Sequence, residues 1–195
     1  MVQKLVTRVL SMSTAVALSL SMAGCASAGS TDHSMHGDQK QSAPAAEPMS
    51  ADDIMFAQMM IVHHQQAVDM GVLAETRAGS EVVKKLAAEI KDEQAPEIEL
   101  MKSWLEAVGA SIEMGHSMAM PGLLSDSQMA NLEAAAGDQF DKLYLLSMIE
   151  HHKGAIDMAR AVEGSANGAV SELASSIISS QTDQIAYIES LLGNN

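Results

Sequence analysis

The chain has 195 residues, enough for one domain with appendages. It carries 25 Asp+Glu against 11 Lys+Arg, a formal charge of −14, which excludes a nucleic-acid partner by repulsion and favours attraction of cations. A single cysteine excludes an internal disulfide and a thiolate cage, so any metal falls to His, Met, Asp or Glu.

Residues 1–24 have the layout of a signal peptide. Lys4 and Arg8 supply a positive start, Val9 to Met22 is apolar or small without charge, and Met22-Ala23-Gly24 precede Cys25. These small residues resemble a bacterial lipobox, which makes Cys25 the expected site of lipidation. The other reading is an ordinary signal peptide with Cys25 incidental. Residues 25–50 read as a disordered tether rich in Ser, Ala, Pro and Gly, holding His33, Met35 and His36. Removal of 1–24 leaves 9 Lys+Arg against 25 Asp+Glu, a formal −16, and 13 of the 16 methionines.

From Ser50 the pattern is helical. Ser50 or Asp52 can cap a helix reaching about Arg77, with Ala78-Gly79 as its stop. A second helix is expected from about Ser80 to Val108, kinked or divided at Pro96. Residues 109–124 form a loop that offers Met114, His116, Met118 and Met120. A short helix over 125–136, a longer one from about Asp138 to Glu163, and a last one over about 169–192 complete the series. Alternating patterns are nearly absent, so the expected fold is all-α: an antiparallel four-helix bundle with a short extra helix, over residues 51–193.

An internal repeat governs the reading. Met60-Ile61-Val62-His63-His64-Gln65-Gln66-Ala67-Val68-Asp69-Met70 matches Met148-Ile149-Glu150-His151-His152-Lys153-Gly154-Ala155-Ile156-Asp157-Met158 at an offset of 88. The match extends to Asp53/Asp141, Phe56/Tyr144 and Glu75/Glu163. In the helices that follow it continues one residue shorter, through Leu86/Leu173, Ile90/Ile177, Gln94/Gln181, Ile98/Ile185 and Met101/Ile188. The domain therefore reads as two helical hairpins about a pseudo-twofold axis.

On a helix of about 100° per residue, Met60, His63, His64, Ala67 and Met70 occupy an arc of roughly 120°, as do Met148, His151, His152, Ala155 and Met158. Met60 and His64 are one turn apart and can share a ligand. Thioether sulfur prefers Cu(I), imidazole accepts several ions, and a mixed set points to Cu(I), with Ag(I) as mimic. The candidate metal residues are these eight Met and His together with His116, Met118 and Met120 of the loop and His33, Met35 and His36 of the tether. The bland alternative is a methionine-filled core in which the histidine pairs hydrogen-bond across the bundle, to Asp69 or Asp157 among others, and only hold it together. Asp69 and Asp157 fall off the Met/His arc. The lone Glu-x-x-His, Glu113 to His116, lies in a loop and is unrepeated, which argues against a carboxylate-bridged di-iron centre. No phosphate loop or nucleophile elbow is present, so no enzymatic activity is expected.

The paired Met-Ile-x-His-His-x-x-Ala-x-Asp-Met segments, Gly137 to Asp141 and Met120-Pro121-Gly122 resemble the domain of unknown function 305 family, which includes CopM-like bacterial copper-binding proteins. The resemblance covers about residues 50–192. It implies a ferritin-like four-helix bundle, a periplasmic or cell-surface location, and Cu(I) or Ag(I) binding by Met and His. Val62 stands where the second motif has Glu150, and Pro96 interrupts the helix after the first motif. The resulting expectation is a lipoprotein, membrane-bound only through its anchor, that sequesters a soft metal for resistance or hands it to a copper-transfer protein, with homo-oligomers open. The competing expectation is a structural or adaptor lipoprotein without a metal.

Overall fold

A computed structural model describes residues 48–113 and 120–193. The signal segment, Cys25, the tether histidines His33 and His36 with Met35, and the loop residues Met114, His116 and Met118 lie outside the described residues. Five helices follow in order: α1 (Ala51–Arg77), α2 (Glu81–Ala107), α3 (Asp126–Ala134), α4 (Asp138–Arg160) and α5 (Gly168–Gly193). Among the described residues there is no strand, and no helix is long and apolar enough to cross a membrane.

Local chemistry sets the boundaries. The Ser50 hydroxyl accepts from the Asp53 amide at 3.1 Å while the Asp53 carboxylate accepts from the Ser50 amide at 2.8 Å, a reciprocal cap on α1. Ser125 and Gln128 repeat the device on α3. Ser80 caps α2 through the Val82 amide. Of the two outcomes expected at Pro96, a kink or a division, the division does not occur, and α2 runs unbroken through it. Its ring stands exposed while Gln94, Ile98 and Met101 on the opposite face are buried, so packing holds the helix together across the one lost hydrogen bond. Helix α4 ends at Arg160 rather than Glu163, and residues 161–164 turn toward α5.

Helices α1 and α2 form one hairpin, α4 and α5 the other, and the hairpins join mainly through α1 against α4. The repeat is used to lock them. Asp141, at the start of α4, accepts from the amides of Gly79 (3.0 Å) and Ser80 (2.8 Å) in the opposite hairpin's turn. Its repeat partner Asp53, at the start of α1, takes a hydrogen bond from Ser165 in the other turn. Each buried carboxylate thus satisfies a turn that would otherwise expose orphan donors. Gly137 adds a hydrogen bond from its amide to the Arg77 carbonyl at 2.8 Å.

The core has two apolar halves. One gathers Met70, Met148 and Ile188 with Phe140 and Tyr144. The other gathers Met60, Met101 and Met158 with Phe56 and Ile177. Between them, at the middle of the bundle, lies a polar layer.

Candidate metal centre

The Met/His arc of α1 faces that of α4 because both helices bury the same stripe of their repeat. His63, His64, His151 and His152 are all fully buried, as are Met60, Met70 and Met148, and Met158 is nearly so. The helices cross at the first histidine of each pair: the His63 and His151 rings have centroids 3.8 Å apart, tilted by 38°.

One nitrogen of three of these rings is committed. His63 Nε2 donates to the Pro121 carbonyl at 3.0 Å, and His151 Nε2 donates to the His63 carbonyl at 3.0 Å. A carbonyl only accepts, so both rings carry their proton on Nε2. His64 Nε2 lies 2.8 Å from Oε2 of Glu97 on α2. The Nδ1 atoms of all four histidines are buried without a hydrogen-bond partner. Neither nitrogen of His152 makes a well-formed hydrogen bond, although Gln184 of α5 faces it.

Burial makes His63, His151 and His152 neutral. Desolvation first, and then the neighbouring His64, push His63 down to about 3, against a weaker pull from the Pro121 carbonyl. Desolvation lowers His152 to about 4, opposed by Gln184. His151 also lies well below the ordinary histidine range, through burial and then its neighbour His63. A neutral imidazole with one N–H held by a carbonyl or carboxylate and the other nitrogen bare is the form that ligates a metal. The donor set present, imidazole nitrogen beside buried thioether sulfur, fits a soft ion.

The four histidines do not surround one point. Among the described residues no three His, Cys, Asp or Glu side chains are grouped to hold a metal. The expected convergence is therefore partial: His63 meets His151, while the methionines separate into the two core halves, Met60 with Met158 and Met70 with Met148. Any site here has to include thioethers. The suggestion that Asp69 or Asp157 hold the histidines is corrected. Asp69 is exposed and accepts from Gln65, and Asp157 is exposed and pairs with Arg160.

The segment 120–124 lies across α1 and α4. Gln66 on α1 clamps it, donating to the Leu124 carbonyl at 2.9 Å and accepting from the Leu124 amide at 2.7 Å. Its repeat partner Gly154 on α4 supplies the space: a Cβ there would sit 2.0 Å from the Pro121 oxygen. Gly122, at φ +76°, likewise rests on the backbone of Glu150 and His151. The loop thus roofs the His63/His151 pair and ends at the half-buried Met120, where it leads back to Met118 and His116.

Several residues of the layer were not singled out from sequence. Glu97 and Gln184 occupy equivalent positions in the one-residue-shorter register, so the repeat carried the signal. Gln94 and Gln181 are buried with unpartnered amide atoms at the α2 and α5 side of the layer. Met101 is fully buried in the half that holds Met60 and Met158.

A family model described as "Domain of unknown function (DUF305)" matches residues 53–192. A solved DUF305 protein from Streptomyces coelicolor, whose name includes the words "secreted protein", is 33% identical with a TM-score of 0.71, over 74% of this chain and 95% of that one. A DUF305 fragment from Deinococcus radiodurans is 28% identical with a TM-score of 0.70, over 76% of this chain and 99% of its own. CopM in its Cu(I)-bound form is 29% identical with a TM-score of 0.63, over 73% of this chain and 96% of CopM. CopM is also solved with Ag and with Cu(II) bound. No curated protein matches the chain significantly.

Proposed function

This chain belongs to the DUF305 family, and we propose that within it the protein is an exported lipoprotein that binds Cu(I) through Met and His, without catalysis, for sequestration or transfer. The observation that carries this reading is the layer of four buried histidines whose Nδ1 atoms have no partner, flanked by buried thioethers. Buried polar atoms left unsatisfied are rare in proteins unless an ion or ordered water completes them. The likeness to CopM, solved with Cu(I) and Ag bound, supports the choice of metal. Met60, His63, His64, Met70, Met148, His151, His152 and Met158 are the proposed helical ligands. The loop residues His116, Met118 and Met120 and the tether residues His33, Met35 and His36 would capture the ion, and Cys25 would carry the anchor. The acidic chain attracts cations toward them.

A second reading rests on the hydrogen bonds of His63 to Pro121, His151 to the His63 carbonyl and His64 to Glu97, each of which ties two elements together. On that reading the histidines only hold the bundle. Cu(I) titration of the full chain against a competing chelator separates the two. The comparison variants replace His63, His64, His151 and His152 with Ala in one case, and Met60, Met70, Met148 and Met158 with Leu in the other. Leu conserves volume and preserves the core. Tight binding weakened in both supports the metal reading. Binding retained by both moves the site to the loop and tether. No binding by the parent chain leaves the structural reading.

A further inference from the structure

The repeat builds two half-sites of the same plan and different chemistry. On α1, Met60 and His64 are one turn apart. On the adjoining α2, Glu97 and Met101 are one turn apart, with Glu97 on His64 Nε2 at 2.8 Å. Antiparallel packing of α1 and α2 then sets Met101 beside Met60, and both share a buried cluster with Met158 of α4. The second half-site follows from the repeat. Met148 and His152 lie one turn apart on α4, Gln184 and Ile188 one turn apart on α5, Gln184 faces His152, and Met148, Ile188 and Met70 share the other cluster. Position for position, Met60/Met148, His64/His152 and Met158/Met70 are conserved between halves. Glu97/Gln184 and Met101/Ile188 are not.

Resting on the Cu(I) reading above, we propose that the two half-sites are unequal: the Met60–His64–Met101–Met158 half takes the first ion, and the Met70–Met148–His152 half takes a second more weakly. Two substitutions within the repeat produce the difference. Met101 supplies a third thioether, where Ile188 offers no donor atom. Glu97, a carboxylate accepting the His64 Nε2 proton, makes Nδ1 a stronger donor than the neutral amide of Gln184 makes His152. Glu97 is a positioning residue that acts through His64. Met101 is a ligand.

The inequality has a use. Two sites of graded affinity about the His63/His151 crossing give a captured ion a tight resting place and an overflow place from which a second ion leaves more readily. The roof segment 120–124 covers the crossing.

Methionine-methyl NMR of the full chain during Ag(I) and then Cu(I) addition tests this directly. Both ions are diamagnetic. The expected order is that methyls of Met60, Met101 and Met158 move before those of Met70 and Met148, whatever the loop methionines do. Met101→Ile, which copies position 188 and keeps the volume, is expected to weaken the first helical step about tenfold and to narrow the gap between the two steps. Ile188→Met is a gain-of-ligand variant that loss of folding cannot mimic, and it is expected to tighten the second step. Movement of all five methyls together, or a Met101 methyl that stays fixed, overturns the inequality while leaving Cu(I) binding intact. No movement of any of these five methyls overturns both this inference and the helical Cu(I) site.

Discussion

His63 and His151 occupy the same place in the two halves of the repeat, and their rings meet at a centroid distance of 3.8 Å, tilted by 38°, where α1 crosses α4. The contact is closed by a chain of two hydrogen bonds, His151 to the His63 carbonyl and His63 to the Pro121 carbonyl. Two like titratable rings at this distance cannot both be charged, and burial holds both well below the ordinary histidine range.

The first prediction concerns pH. The folded values of His63 (about 3) and His152 (about 4) lie below the ordinary 6.5, so below pH 6.5 the unfolded chain binds protons that the folded chain refuses. Stability of the metal-free protein is therefore full above pH 6.5 and falls as the pH drops toward 4. By pH 4.5 the loss is on the order of 2 kcal/mol for each of these two histidines. Urea denaturation at pH 7, 5.5 and 4.5 measures it. A flat profile over that range contradicts neutral buried rings.

The roof is sensitive to a single methyl group. Gly154→Ala puts a Cβ against Pro121 backbone atoms, which cannot give way as a flexible side chain would. The loop lifts and the His63 N–H loses its acceptor, at a cost of about 1–3 kcal/mol. Gly164→Ala is the control, since a Cβ there meets nothing. Denaturation of the two variants, with chemical modification of His63 read by mass spectrometry, should show destabilisation and His63 reactivity in Gly154→Ala alone.

Asp141 is assigned to the fold and not to the metal. Asp141→Ala leaves the Gly79 and Ser80 amides without their acceptor, and a loss of about 1–2 kcal/mol is expected. Cu(I) affinity at saturating folded protein should be unchanged. A parallel loss of affinity would mean that the turn shapes the site.

Glu97→Gln makes the first half-site resemble the second. His64 keeps a hydrogen-bond partner but loses the carboxylate, and Cu(I) affinity at the first step should drop about tenfold with little change in thermal stability. A drop in stability with unchanged affinity would assign Glu97 to the fold.

Much of this was readable from the chain. The offset of 88 located both Met/His arcs, the caps at Ser50 and Ser125 marked helix starts, and the pairing of Asp53 with Asp141 became the reciprocal lock between hairpins. Other features depend on contacts between distant segments. Pro96 reads as a kink or a division because local propensity counts the lost hydrogen bond and not the packing of Ile98 and Met101 on the other face, which keeps α2 undivided. That Pro121 roofs His63 follows from the missing side chain of Gly154, which has no meaning until α4 and the loop are side by side. Glu97 was visible as the repeat partner of Gln184, but its role needed the antiparallel register of α1 and α2 to place it on His64.

The most direct test of metal capture by the histidine layer is the imidazole nitrogen NMR spectrum of the full chain with and without one equivalent of Ag(I). The metal-free protein should show His63 and His151 as neutral rings protonated at Nε2. Added metal should move Nδ1 resonances of the buried histidines while the Nε2 protons of His63 and His151 stay in place. Nδ1 resonances of all four histidines that ignore the metal, in a chain that nevertheless binds it, would contradict capture at this layer and place the metal on the methionine-rich loop and tether instead.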